Sequence, residues 1–248
     1  MTVDSDQDIK GLKRIGRIVA LVLQEMKKHV RPGISTRELD EIGAQFLQQY
    51  GARSAPVLVY GFPGTTCISI NDEAAHGIPG ERVIQPGDLV NIDISAELDG
   101  YFADTAETIP VPPVGRVQQK LCRSTKNAML RAIAAVKAGL PLNVIGKAVE
   151  EEALRSGFSI LRDLNGHGVG RSIHEEPRHV PNYYNRLDRR QLVEGMVITV
   201  EPFLSTGANH VVTAADGWTL RTPDGSLSAQ YEHTIIVTRG KPVVVTAL

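Results

Sequence analysis

"LVNIDISAELDGYFADTAETI", residues 89–109, decides how this chain folds around its chemistry. Val90, Ile92 and Ile94 alternate with Asn91, Asp93 and Ser95, the period of a half-buried strand. Asp99-Gly100 is a strong two-residue hairpin signal, because both residues tolerate the positive φ that such turns require. With those two as the loop, Leu98 pairs with Tyr101, Ser95 lies opposite Asp104, and Asp93 lies opposite Ala106. Asp93 and Asp104 then become diagonal neighbours on one face, about 7–8 Å apart at the backbone. From there two carboxylates can reach inward to a shared ion or an ion pair. A slip of one residue in the turn would send them to opposite faces, so the inference stands on the register.

Helices are expected on either side of this hairpin. Residues 8–30 carry Ile15, Val19, Val22 and Met26 on one helical face, and Pro32-Gly33 ends that run. Ser35 opens Ser-Thr-Arg-Glu, a capping box, before Leu39, Ile42 and Phe46 mark a second helix. Strand-like pieces follow at 56–60, 66–70 and 89–95. The same order then returns. A helix-prone stretch at 115–138 stops at Gly139, Pro141 and Asn143 precede a helix to about residue 156, and strands resume after 158. The pattern predicts an α+β fold: two similar halves, about 1–112 and 113–248, enclosing a common sheet within one domain. No low-complexity linker separates them.

The composition narrows the function classes. A hydrophobic fraction of 42% in 248 residues supports a real core. A formal charge of −1 provides no general basic field for nucleic acid or a membrane surface. The start is charged, and its longest apolar run, Ile18 to Leu23, is far short of the roughly 20 residues that span a bilayer. Cys67 and Cys122 form neither a disulfide framework nor a Cys-x-x-Cys clip, so a reducing cytoplasm is the expected location.

"NGHGVGRSIHEEP", residues 165–177, concentrates titratable groups on a flexible backbone. It is not the helical zinc motif His-Glu-x-x-His, since Arg178 stands where the second histidine is needed and Pro177 breaks the helix. Nor do Gly166, Gly168 and Gly170 match the dinucleotide spacing Gly-x-Gly-x-x-Gly. Glycine at this density points to a tight turn or a close approach of backbone to something else. Glu201 in "GMVITVEP" and Glu232 in "SAQYEHTIIV" sit in apolar, strand-like surroundings, where an unpaired carboxylate is costly. No arginine lies beside either in sequence.

Taken together, "NDEAAHGIP" (71–79), "VNIDISAELDGYFADTAETI" (90–109), "GHGVGRSIHEEP" (166–177), "GMVITVEP" (195–202) and "SLSAQYEHTIIVT" (226–238) resemble the type I methionine aminopeptidases of the pita-bread metallopeptidase family. The resemblance spans nearly the whole chain, with the eleven-residue step from Asp93 to Asp104 in place. The family's N-terminal zinc-binding extension and the long insertion of the type II enzymes are not seen. It implies the pita-bread fold: two pseudo-symmetric helix-helix-strand halves around a curved, mainly antiparallel sheet. It implies five metal ligands, Asp93, Asp104, His167, Glu201 and Glu232, with Asp104 and Glu232 as the bridging pair. Two divalent ions (Co, Mn, Fe or Zn) would neutralise the four carboxylates, and oxygen-rich ligation with one imidazole suits those ions. A hydroxide bridging the ions would remove N-terminal methionine from peptides and nascent chains with a small second residue. His76, His174 and Glu201 would be catalytic, with His174 donating to the developing oxyanion and His76 contacting the scissile amide.

The resemblance also implies a methionine pocket built from Phe62, Cys67 and Trp218. Near it the chain departs from the pattern. Val59 stands where an aromatic residue is usual, with Tyr60 one place later; Pro56 stands where Cys is common, and Ile173 replaces a Phe. His233 follows a ligand but faces away by strand alternation, and Glu175 and Glu176 read as scaffold. His29, His179 and His210 read as surface or loop residues. A monomer is implied, and ribosome contact is compatible with the role although no basic tail supports it. Two rivals share the fold: an Xaa-Pro peptidase, which usually carries a further N-terminal domain, and a non-enzymatic binding module that has lost its ligands.

Overall fold

The computed structural model describes residues 1–248. Five helices, α1 (Asp6–His29), α2 (Thr36–Gln49), α3 (Ala55–Tyr60), α4 (Arg116–Ala135) and α5 (Val144–Ser156), accompany sheets in which every paired strand is antiparallel. The hairpin has the predicted register. Strand Leu89–Leu98 pairs with Tyr101–Pro110, with Ser95 opposite Asp104 and Asp93 opposite Ala106. Its loop takes φ 53° at Asp99 and 80° at Gly100, which aspartate and glycine accept at low cost.

Each helix pair covers one ladder. The predicted face of α1 (Ile15, Val19, Val22 and Met26) is completely buried against Ile68, Ile70, Val90, Ile92 and Ile94 of the first sheet. Ser5 caps α1 by accepting from the Asp8 N–H at 3.2 Å, and Lys27, Lys28 and His29 occupy its last turn, where the helix dipole favours cations. Ser35 and Glu38 complete the capping box of α2. The buried line of α2 runs through Leu39, Gly43 and Leu47, with Ile42 and Phe46 on its flanks rather than at its centre. In the second half, Leu121, Met129 and Ile133 of α4 and Ile145 and Val149 of α5 pack on Ile198, Val200 and Ile235. Helix pair on sheet therefore occurs twice, as expected from the repeated order.

Two ladders form most of the sheet, beside two smaller three-stranded sheets, one of which includes Ser228–Gln230. The first ladder contains Cys67–Ile70, Leu89–Leu98 and Tyr101–Pro110; the second runs Val243–Val244, His233–Ile236, Val197–Val200, Gly166–Gly168, Glu175–Val180. They meet along residues 104–108 and 230–234. There the Glu232 N–H donates to the Ala106 carbonyl at 2.9 Å. The Thr105 hydroxyl donates to the Glu232 carbonyl at 2.9 Å, and the Asp104 N–H donates to Thr234 Oγ1 at 3.0 Å. Threonine hydroxyls thus replace ladder hydrogen bonds at the seam, and Asp104 is carried beside Glu232.

The stretch 56–60 is not a strand. Ser54 accepts from the Val57 N–H, Pro56 lies in the first turn, and Gly61 ends α3 in the left-handed region at φ 66°. The β-branched Val57 and Val59 favour a strand, but an N-cap, an early proline and a C-terminal glycine outweigh that weak propensity.

Candidate metal centre and active-site cavity

The seam brings the candidate residues to one place. Asp93 and Asp104 come from the hairpin, His167 from Gly166–Gly168, Glu201 from the end of Val197–Val200, and Glu232 from the residue before His233–Ile236. Ligand atoms of Asp104, His167 and Glu232 lie within 4.8 Å of one another, and all three residues are buried. His167 Nε2 is 3.4 Å from Glu201 Oε1 and 3.8 Å from Asp104 Oδ2. Two of the carboxylates, Glu201 and Asp93, are held from behind. The Thr199 hydroxyl donates to Glu201 Oε1 at 2.6 Å, and Gln230 Nε2 donates to Asp93 Oδ2 at 3.4 Å.

The two glycines around His167 are required by packing. A Cβ on Gly166 would stand 2.6 Å from the Thr199 carbonyl oxygen, and one on Gly168 would run into the Glu176 carbonyl. Glycine therefore lets the histidine strand lie tight between its neighbours, and this fixes His167 over the carboxylates.

The electrostatics are those of a cation site. Asp104 Oδ1 and both carboxylate oxygens of Glu232 are buried without a hydrogen-bond partner. Such groups are costly unless a positive charge or a proton answers them. Burial, reinforced by the neighbouring carboxylates, pushes Asp104 and Glu232 well above the ordinary carboxylate range. Burial also raises Glu201 strongly and Asp93 more mildly, with Thr199 and Asp104 respectively opposing the shift by hydrogen bonding. His167 is pushed down to about 3, first by burial and then by His174, so its ring is a neutral donor. A divalent ion fits this donor set, since it replaces the protons that the metal-free carboxylates must hold.

A pH dependence of stability follows. The unfolded carboxylates ionise near pH 4, whereas the folded, metal-free ones keep protons to higher pH, so their contribution is complete below about 4 and lost as pH rises. His167, His174 and His233, lowered to about 3, 4 and 4, act oppositely between those values and about 6.5. Above about 6.5 the histidines are neutral in both states and no longer offset the carboxylates. The melting temperature of metal-stripped protein should therefore fall as pH rises through the raised range of these carboxylates, and a divalent ion should recover it. A flat profile in the stripped protein would contradict this reading of the cluster.

Above the cluster lies a cavity of about 450 Å³. Phe62, Cys67 and Trp218 line it as expected, and Phe62 meets Trp218 edge to face at 5.3 Å. Burial and the nearby Asp93 hold the Cys67 thiol well above its ordinary value, so it serves as a soft wall rather than a nucleophile. His76 enters the cavity from a left-handed backbone at φ 54°. Gly77 beside it passes so close to the Ile68 carbonyl that no side chain would fit. His174 lines the same cavity with its ring 4.1 Å from that of His167, and burial together with His76 and Arg178 lowers it to about 4. Glu175 does act as scaffold, accepting from the N–H groups of Arg171 and Ser172. His233 faces away, with Nδ1 2.8 Å from the Thr246 hydroxyl.

Two results depart from the sequence reading. Val59 is exposed and does not line the cavity, while Tyr60 and Pro56 do. His179, read as a loop residue, also lines it, as do Asp163, Asn165 and Phe203. Apart from Asn165, at the start of the glycine-rich stretch, none of these lies in a motif segment, and only the fold brings them to the wall.

The profile of metallopeptidase family M24 matches residues 10–239. The chain belongs to that family. It is 49% identical to methionine aminopeptidase 2 of Bacillus subtilis (strain 168), with both chains covered completely. A methionine aminopeptidase from Rickettsia prowazekii superposes with a TM-score of 0.95 at 36% identity, again over the full length of both. The prolidase of Pyrococcus furiosus shares the fold alone, at 24% identity and a TM-score of 0.79, and the chain spans 66% of it. No helix is long and apolar enough to cross a membrane.

Proposed function

We propose that this chain is a metal-dependent aminopeptidase of type I that removes N-terminal methionine, preferring substrates with a small second residue. The observation that carries the reading is the cluster of Asp104, His167 and Glu232, with its unpartnered oxygens, beneath a cavity walled by Phe62, Cys67 and Trp218. Asp93, Asp104, His167, Glu201 and Glu232 would hold two divalent ions, of cobalt, manganese, iron or zinc. Bound there, such ions supply Lewis-acid polarisation and an acidified water at neutral pH.

The chain's own groups supply the rest. The aromatic and sulfur walls accept a flexible thioether side chain. His174, kept neutral by its surroundings, offers an N–H to the carbonyl oxygen as charge gathers there, and His76, which lines the same cavity, contacts the scissile amide. Thr199 and Gln230 orient Glu201 and Asp93. Two half-sheets with their helix pairs meet at this one cleft, which fits a single catalytic domain over 1–248. Free, buried Cys67 and Cys122 fit a reducing compartment.

A peptide panel tests the assignment. Metal-reconstituted protein should cleave Met-Ala-X, Met-Gly-X and Met-Ser-X peptides well ahead of X-Pro peptides and of Leu-Ala-X. Preference for X-Pro bonds would assign the chain to the prolidase chemistry that shares its fold. Preference for Leu over Met would show that Ile173 and Pro56 have reshaped the pocket.

A further inference from the structure

Tyr60 is the last residue of α3, fixed between the Ser54 cap and the left-handed Gly61, and it stands at the cavity wall. Its phenolic oxygen is 2.6 Å from His174 Nδ1, with the rings 5.6 Å apart and tilted by 53°. This is the one hydrogen bond that the His174 side chain makes, and Tyr60 has no other side-chain partner. A neutral imidazole carries one hydrogen, and the partner of one ring nitrogen decides which nitrogen bears it. If Nδ1 donated to the phenol, Nε2 would face the cavity as a bare lone pair, unable to stabilise an oxyanion. If the phenol donates to Nδ1, the hydrogen stays on Nε2.

We propose that Tyr60 is the positioning residue of His174: its hydroxyl donates to Nδ1, selects the Nε2–H tautomer and aims that N–H into the cavity. The proposal rests on the reading of His174 as the oxyanion donor. It also explains the sequence at 59–60. Val59 turns to solvent, and the aromatic residue one place later is the one that reaches the catalytic wall. α3 suits this purpose because its ends are both capped, which fixes the phenol rather than leaving it on a mobile loop.

The test is Tyr60→Phe in the metal-loaded protein, which removes the hydroxyl and keeps the ring. With a Met-Ala-X peptide, kcat should fall roughly fivefold to tenfold, the size of one net hydrogen bond, with KM within about twofold. Melting temperature and metal stoichiometry should match the parent. In a His174→Ala background the same change should have no further effect. Long-range proton–nitrogen spectra of the zinc-loaded parent should show Nε2 of His174 protonated and Nδ1 bare, with tautomers mixed in Tyr60→Phe. Parental kcat in Tyr60→Phe, an equal loss in both backgrounds, or a protonated Nδ1 in the parent would overturn the proposal. Parental kcat in His174→Ala, with the tautomer spectra as expected, would instead remove the oxyanion role and leave Tyr60 as a structural contact.

Discussion

Replacing Glu232 by glutamine is expected to lower turnover of a Met-Ala peptide by roughly 10³-fold or more, the largest loss of any single substitution considered. Glu232 is 2% exposed, and neither of its carboxylate oxygens has a partner within the protein. Glutamine keeps the volume but removes the charge and places an amide N–H₂ among Asp104, Glu201 and Asp93. Lewis-acid catalysis contributes several kcal/mol to reactions of this kind, and each 1.36 kcal/mol is tenfold in rate. Metal titration by calorimetry separates the ligands. Glu232→Gln and Asp104→Asn, at the pair proposed to be shared by two ions, should disturb both binding events, whereas Asp93→Asn should weaken mainly one. Chelation of the parent should have the same consequence as Glu232→Gln, and cobalt or manganese should reverse it only in the parent. Full activity in rigorously stripped protein would end the metal reading.

Much of this site could be read before the fold was known, because its geometry is local. The Asp99-Gly100 turn sets the pairing of Asp93 and Asp104 through chain geometry alone, and the observed register agrees residue for residue. Capping chemistry made α2 legible in the same way, through Ser35 and Glu38. The partners of those aspartates were less accessible to reasoning of this kind. Glu232 reaches Asp104 through the seam at Thr105 and Thr234, contacts that join residues 127 and 130 positions apart. Only the apolar surroundings of Glu201 and Glu232 hinted that each needs a counter-charge.

The misread segment, 56–60, shows where local reasoning goes wrong. Its β-branched residues argued for a strand, yet Ser54, Pro56 and Gly61 are start and stop signals for a short helix. Those signals were the better guide to this segment, whose last residue, Tyr60, borders the cavity. His179 gave no such signal, since nothing in the sequence of the strand Glu175–Val180 states which cavity it borders.

His174→Ala should reduce kcat by roughly 10²–10³, about 2.7–4 kcal/mol, the range found when an oxyanion donor is removed. The ring lies beside His167 without entering the carboxylate cluster, and it opens into the cavity. Burial and the neighbouring His76 and Arg178 keep it neutral at working pH, so it carries an N–H to offer rather than a full charge to desolvate. Such a donor interacts weakly with a ground-state carbonyl and strongly with the oxyanion that replaces it. The loss should therefore fall on kcat with little change in KM. Metal stoichiometry should stay at the parental value, because the alanine leaves Asp104, His167 and Glu232 in place. A purely structural histidine would behave differently: the melting temperature would drop and activity would fall only as the folded fraction falls. Steady-state kinetics beside a thermal melt separate these outcomes, and a metal-depleted or unfolded His174→Ala protein would make the residue a ligand or a scaffold instead of an oxyanion donor.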